Sequence, residues 1–95
     1  MKRMYLALFC LRQVREEHRK LEDVIRAASA GSYTRMLTPN GPMFLYESEL
    51  LPWQVSFDRI LHNDDSLVMV EVGEATRLDG FSAAAGWLNA RRPRK

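Results

Sequence analysis

Ninety-five residues, 46% hydrophobic and 27% charged, make one domain with a single core and exclude a wholly disordered chain. Cys10 is the lone cysteine, which excludes an internal disulfide framework or a multi-cysteine zinc site and points to a reduced, cytoplasmic setting. Arg91, Arg92, Arg94 and Lys95 fall in the last five residues, so the net charge of +2 leaves residues 1–90 at −2; so slightly acidic a body argues against a broad phosphate-binding surface, while a basic tail at 91–95 stands as a candidate for nucleic acid.

Met4–Leu11 is apolar on both alternating faces, with Met4, Leu6, Leu8 and Cys10 on one and Tyr5, Ala7, Phe9 and Leu11 on the other. Such a strand belongs in the middle of a sheet covered on both sides. Lys2-Arg3 ahead of it faintly resembles a secretory signal, but the run is short, Arg12 ends it and no small-residue cleavage site follows. No apolar run approaches the ~20 residues of a membrane span, so no membrane partner is expected. Arg12 and Arg15, just beyond the strand, join the tail as candidate nucleic-acid contacts.

Glu16–Ala30 is the clearest helix: Leu21, Val24, Ile25 and Ala28 form one apolar stripe, and Glu16–Lys20 and Glu22–Arg26 are i, i+4 pairs on the wet face. Gly31 is placed as the C′ stop. His18 reads as a helix-edge residue, since no second ligand accompanies it. Ser32–Leu37 and Met43–Glu47 flank Thr38-Pro39-Asn40-Gly41-Pro42, which predicts a hairpin with a five-residue connection. Tyr33, Phe44 and Tyr46 supply sheet packing; the alternative is base stacking on an open sheet.

Glu49–His62 is predicted as the second helix, with Pro52 in its first turn and Trp53, Phe57, Ile60 and Leu61 on one side. Trp53 reads as a core anchor there. Asp58 and His62, one turn apart, are open to a shared hydrogen bond or a metal. Asn63-Asp64-Asp65-Ser66 then feeds the β-branched run Leu67–Val72, which Gly73 closes and which reads as a buried strand. Asp64 and Asp65 suit Asx turns at such a junction, and their oxygens also suit a divalent ion. Glu74–Leu78 leads to a closing helix with Phe81, Ala84, Ala85 and Leu88 on one face, Trp87 on its flank and Ser82 as N-cap.

This order predicts an α+β fold, a ferredoxin-like βαββαβ sandwich over residues 1–90 with an additional C-terminal helix. Helices on one face leave the other side of the first strand uncovered. A homodimer with Tyr5, Phe9 and Leu11 at its interface resolves this, unless the terminal helix covers the face.

Asp64-Asp65-Ser66-Leu67-Val68-Met69-Val70-Glu71-Val72-Gly73 and the segment from Phe81 to Trp87-Leu88 resemble the ending of SinR-like proteins. These are small relatives of the ferredoxin-fold, CRISPR-associated adaptation endoribonuclease family. The similarity extends more weakly to Met4–Arg12 and the Lys20-Leu21 helix. It implies homodimers formed through sheet faces, and for nuclease-like members a magnesium ligand in a Tyr-Asp pair ending the first strand. Here Phe9-Cys10 stand in that place, and a thiol does not replace a hard carboxylate oxygen for magnesium. Cys10 itself reads as a small core residue, because neither His18 nor His62 sits in a nucleophile motif with it.

The expected function is therefore a non-catalytic homodimeric binding module with no resident metal or cofactor, its ligand nucleic acid or a protein. The alternatives are a magnesium-dependent endoribonuclease or toxin-like nuclease using Asp64 and Asp65, and a small inhibitor or assembly partner that offers its sheet edge.

Overall fold

A computed structural model describes residues 2–11, 17–57, 60–61, 65–73 and 81–91. Strands β1 (Arg3–Cys10), β2 (Tyr33–Thr38), β3 (Gly41–Ser48) and β4 (Ser66–Glu71) form one antiparallel sheet, ordered β2-β3-β1-β4. The strand apolar on both sides lies inside the sheet: Leu6 faces Leu45 across one ladder and Val70 across the other.

One helix covers each face. Helix α1 (Glu17–Ser29) sets Leu21 and Ile25, fully buried, against Tyr5, Ala7, Phe9, Phe44 and Tyr46. Phe9 is the hub of that layer, with Phe44 and Phe57 edge-on to its ring at 5.9 and 5.1 Å, a geometry that adds to simple burial. Helix α2 (Ser82–Arg91) lies on the opposite face, where Ala84 and Leu88 pack on Met36, Leu45 and Val72.

Tyr5 and Phe9 are thus core residues of one chain, 2% and 0% exposed, and Leu11 packs against the same cluster. Tyr5 and Phe9 therefore have no surface left for the dimer interface assigned to them, and Leu11 keeps only a half-buried one. Their alternation put them beneath α1, and the face that α2 covers only in part is the other one, carrying Leu6 and Leu8. Phe44 and Tyr46 are also fully buried, and Tyr33 is half-buried with its hydroxyl held by Glu22 and Arg26, so the aromatic residues of the hairpin form no open platform for base stacking.

Helix α1 ends one residue earlier than its glycine suggested. Ala30 takes the left-handed conformation (φ 52°), and Gly31 follows at φ 86°. Ala30 N–H donates to Ala27 O and Gly31 N–H to Arg26 O, the paired bonds of a Schellman motif with alanine at C′. The hairpin is tighter than predicted. Thr38 pairs with Gly41, leaving Pro39-Asn40 as the turn, and Pro42 is buried inside β3. Gly41 makes this possible: at φ 147° a Cβ there would lie 2.5 Å from the Phe9 carbonyl oxygen.

The second helix is replaced by a 3-10 turn at Pro52–Gln54, after which the chain is extended at Val55. A helix over Glu49–His62 would have turned Trp53 and Phe57 the same way. The extended backbone separates them, so Phe57 enters the core at 4% exposure while Trp53 stands 79% exposed. Trp53 is therefore not a core anchor. Phe57 O then accepts from the N–H groups of Ile60 and Leu61. Asp58 and His62 lie outside the described residues.

Candidate functional site

The most unusual surface is the β4 side of the sheet. Helix α2 runs from Phe81 and Ala84 beside Met36 to Arg91 beside Glu47, so it covers β2 and β3 and stops short of the far edge. Val68 and Val70 are 54% and 46% exposed. Leu8 and Leu6 stand opposite them on β1, half-buried, and Cys10 is exposed at the end of the same row opposite Ser66. Among the described residues no strand lies beyond β4. A β-branched edge with no lysine or proline within Ser66–Glu71 is guarded against pairing only by the charge of Glu71 at its end.

The hydrogen-bonding phase of that edge follows from one contact. Val72 N–H donates to Met4 O at 2.9 Å. In an antiparallel strand the N–H and C=O of one residue point the same way and alternate along the chain. Ser66, Val68 and Val70 therefore direct their main-chain groups at β1, and Leu67, Met69 and Glu71 direct theirs outward.

No family model, curated protein or solved structure matches this chain.

Of the cations assigned to nucleic acid, Arg91 has an internal role. Its Nε donates to Glu47 Oε1 at 2.6 Å, its Nη1 donates to Trp87 O at 3.1 Å, and the guanidinium lies 3.9 Å from the centroid of the Trp87 ring. Ser32 Oγ also donates to Glu47 Oε1, at 2.8 Å. Burial of Glu47 opposes its charge, but the hydrogen bonds from Ser32 and Arg91, with the charges of Arg91 and Lys2, outweigh it and hold the carboxyl below the ordinary range. The group clamps the end of α2 to β3. Arg12, Arg15, Arg92, Arg94 and Lys95 lie outside the described residues.

A second polar group joins α1 to β2. Tyr33 OH donates to Glu22 Oε2 at 2.6 Å and accepts from Arg26 at 3.0 Å, while Arg35 donates to Glu22 Oε1 at 2.9 Å. Its members satisfy one another and leave no vacant donor set for a ligand. Tyr46 differs. Burial, and then the nearby Tyr5, push its phenol up to about 12, and among the described residues its hydroxyl has no hydrogen-bond partner.

The candidate metal ligands come out unevenly. Antiparallel pairing of Cys10 with Ser66 brings Asp65, half-buried, to the corner where β1 ends. Chain order alone had set these two ends apart. Asp64 and the side chain of His18 lie outside the described residues, and among those described no three of His, Cys, Asp and Glu gather. Cys10 is exposed rather than a core residue.

Two surface features escaped the sequence pattern. Val68 and Val70 read as a buried run, because an apolar strand at a sheet edge looks like a central one until its neighbours are known. Trp53 read as core because its spacing from Phe57 suits a helix. The signal against that helix was Leu51-Pro52, since proline biases its predecessor to extended backbone, and Leu51 has φ −77° and ψ 155°.

Proposed function

We propose that the chain is a non-catalytic, homodimeric binding module on a ferredoxin-like scaffold of the SinR-like kind, associating through the β4 side of its sheet. One observation carries this: Val68 and Val70 stand about half exposed beside the half-buried Leu8 and Leu6, in a row that the α2 cluster covers only at its Val72 and Leu6 end. Soluble chains seldom leave contiguous apolar surface without a partner for it. The scaffold draws support from the strand order, which a βαβ crossover around a hairpin produces. Here the second crossover has shrunk to a 3-10 turn within its described part, and α2 crosses to the other face. The lack of catalysis is argued from Cys10, a soft sulfur where the resemblance implies a hard carboxylate.

Light scattering on the purified chain tests the reading. A dimer at micromolar concentration that dissociates in the Val68→Glu, Val70→Glu variant is expected, and a wild-type monomer refutes it. A nucleic-acid role would draw on Arg92, Arg94 and Lys95, since Arg91 is engaged by Glu47 and Trp87. Removing residues 92–95 would then weaken RNA or DNA binding and flatten its salt dependence. Asp65 beside Cys10 is the one placement that favours the nuclease alternative. Magnesium-dependent RNA cleavage that disappears in Asp64→Ala and Asp65→Ala would establish that alternative instead.

A further inference from the structure

The outer edge of β4 is self-complementary. Its outward main-chain groups belong to Leu67, Met69 and Glu71, as fixed by the Val72-to-Met4 hydrogen bond. This set is symmetric about Met69. A two-fold axis at Met69 places Met69 opposite its own copy and Leu67 opposite Glu71 of the mate, so every outward N–H and C=O of the strand finds a partner. The same register sets Val68 opposite Val70 of the mate, twice, on the face where both are exposed. β-branched residues in such non-hydrogen-bonded pairs approach closely and pack well. The rim bears opposite charges already paired within the chain, Arg3 with Glu71 at 3.4 Å, so the axis brings no uncompensated like charges into contact.

We infer that two copies join edge to edge, β4 against β4 in antiparallel register about Met69, making one continuous eight-stranded sheet from two four-stranded ones. This rests on the homodimer proposed above and specifies it: the contact is a strand-to-strand ladder, in place of the face-to-face packing that the family resemblance implies. The occupant is a second copy because the register closes on itself. A foreign strand would gain the same backbone bonds, but would match Val68 and Val70 only if it carried apolar residues at both facing positions, which a second copy supplies by symmetry.

The edge geometry allows a test that spares the fold. Met69 N–H points away from β1, so proline at this position removes an outward donor and leaves the inner ladder whole. Met69→Ala removes the same side chain but keeps the donor. Sedimentation equilibrium should show wild type and Met69→Ala dimeric, and Met69→Pro weaker by about tenfold or more, with unchanged far-UV circular dichroism. Hydrogen exchange on the wild-type chain needs no variant. The amides of Leu67, Met69 and Glu71 should slow by about tenfold or more between dilute and concentrated samples, while that of Val70 barely changes. A wild-type dimer whose Leu67, Met69 and Glu71 amides stay unprotected, or one that Met69→Pro leaves intact, overturns the edge register and leaves the dimer standing. A wild-type monomer overturns both.

Discussion

Replacing Arg91 tests whether the start of the basic tail is structural. Arg91→Ala removes the 2.6 Å bond to Glu47, the 3.1 Å bond to Trp87 O and the stack over the Trp87 ring. Breaking a fully buried ion pair costs about 3–5 kcal/mol, and an exposed one roughly 0–1. The two side chains are 30% and 25% exposed, which sets this pair between the limits. With the ring contact included the cost is ~2 kcal/mol, or about 8–16 °C in Tm for a domain of this size. Arg91→Lys keeps the charge but loses the planar stack and should cost about half as much. Acid provides the sign. Glu47 has a lowered folded pKa, so its contribution is complete above the unfolded carboxylate value and is lost as pH falls through the lower folded one. Melts followed by circular dichroism at neutral and acid pH should therefore show a wide gap between wild type and Arg91→Ala that narrows in acid. A neutral-pH gap below about 2 °C, or one that acid leaves unchanged, would refute the clamp.

Ala30→Gly should raise stability by about 0.5–1 kcal/mol in urea unfolding, because glycine removes the left-handed strain at C′ and its extra unfolded-state entropy only partly offsets the gain; a loss would mean the motif is not formed. Tyr46→Phe should be neutral or stabilising by about 1 kcal/mol, since it deletes a buried hydroxyl with no described partner. A loss of the same size would reveal a hydrogen bond to that oxygen. Phe57→Ala should cost about 3–5 kcal/mol and Trp53→Ala less than about 0.5 kcal/mol, so comparable losses from the two would return Trp53 to the core.

The strands and outer helices could be read from pattern because each makes its periodicity against one dominant partner. Met4–Leu11 announced a central strand, and Leu21, Val24 and Ile25 announced α1, since burial repeats there with the period of the backbone. Where two conformations satisfy the same apolar residues, pattern failed. Trp53 and Phe57 fit a helix face equally well as a displayed tip followed by an inserted ring, and only the extended backbone at Val55 decides between them. The bare half of the sheet was hidden for another reason. That β1 needs cover on both faces follows from its own alternation, but which half of a face stays bare depends on how far α2 reaches. The ion pair of Glu47 with Arg91, 44 residues apart, leaves no mark in local sequence.

The place of β1 also sets the order in which the molecule can be made. This strand precedes the others, yet it takes one neighbour from Gly41–Ser48 and the other from Ser66–Glu71. During synthesis a ribbon of alternating Leu, Phe and Tyr must wait, raw on both flanks, while its distant mates are added. Contacts so far apart along the chain close slowly, and an unfinished sheet invites clumping. A product ending before Ser66 keeps one flank of β1 permanently bare, so premature stops in this gene should yield insoluble fragments rather than small folded ones.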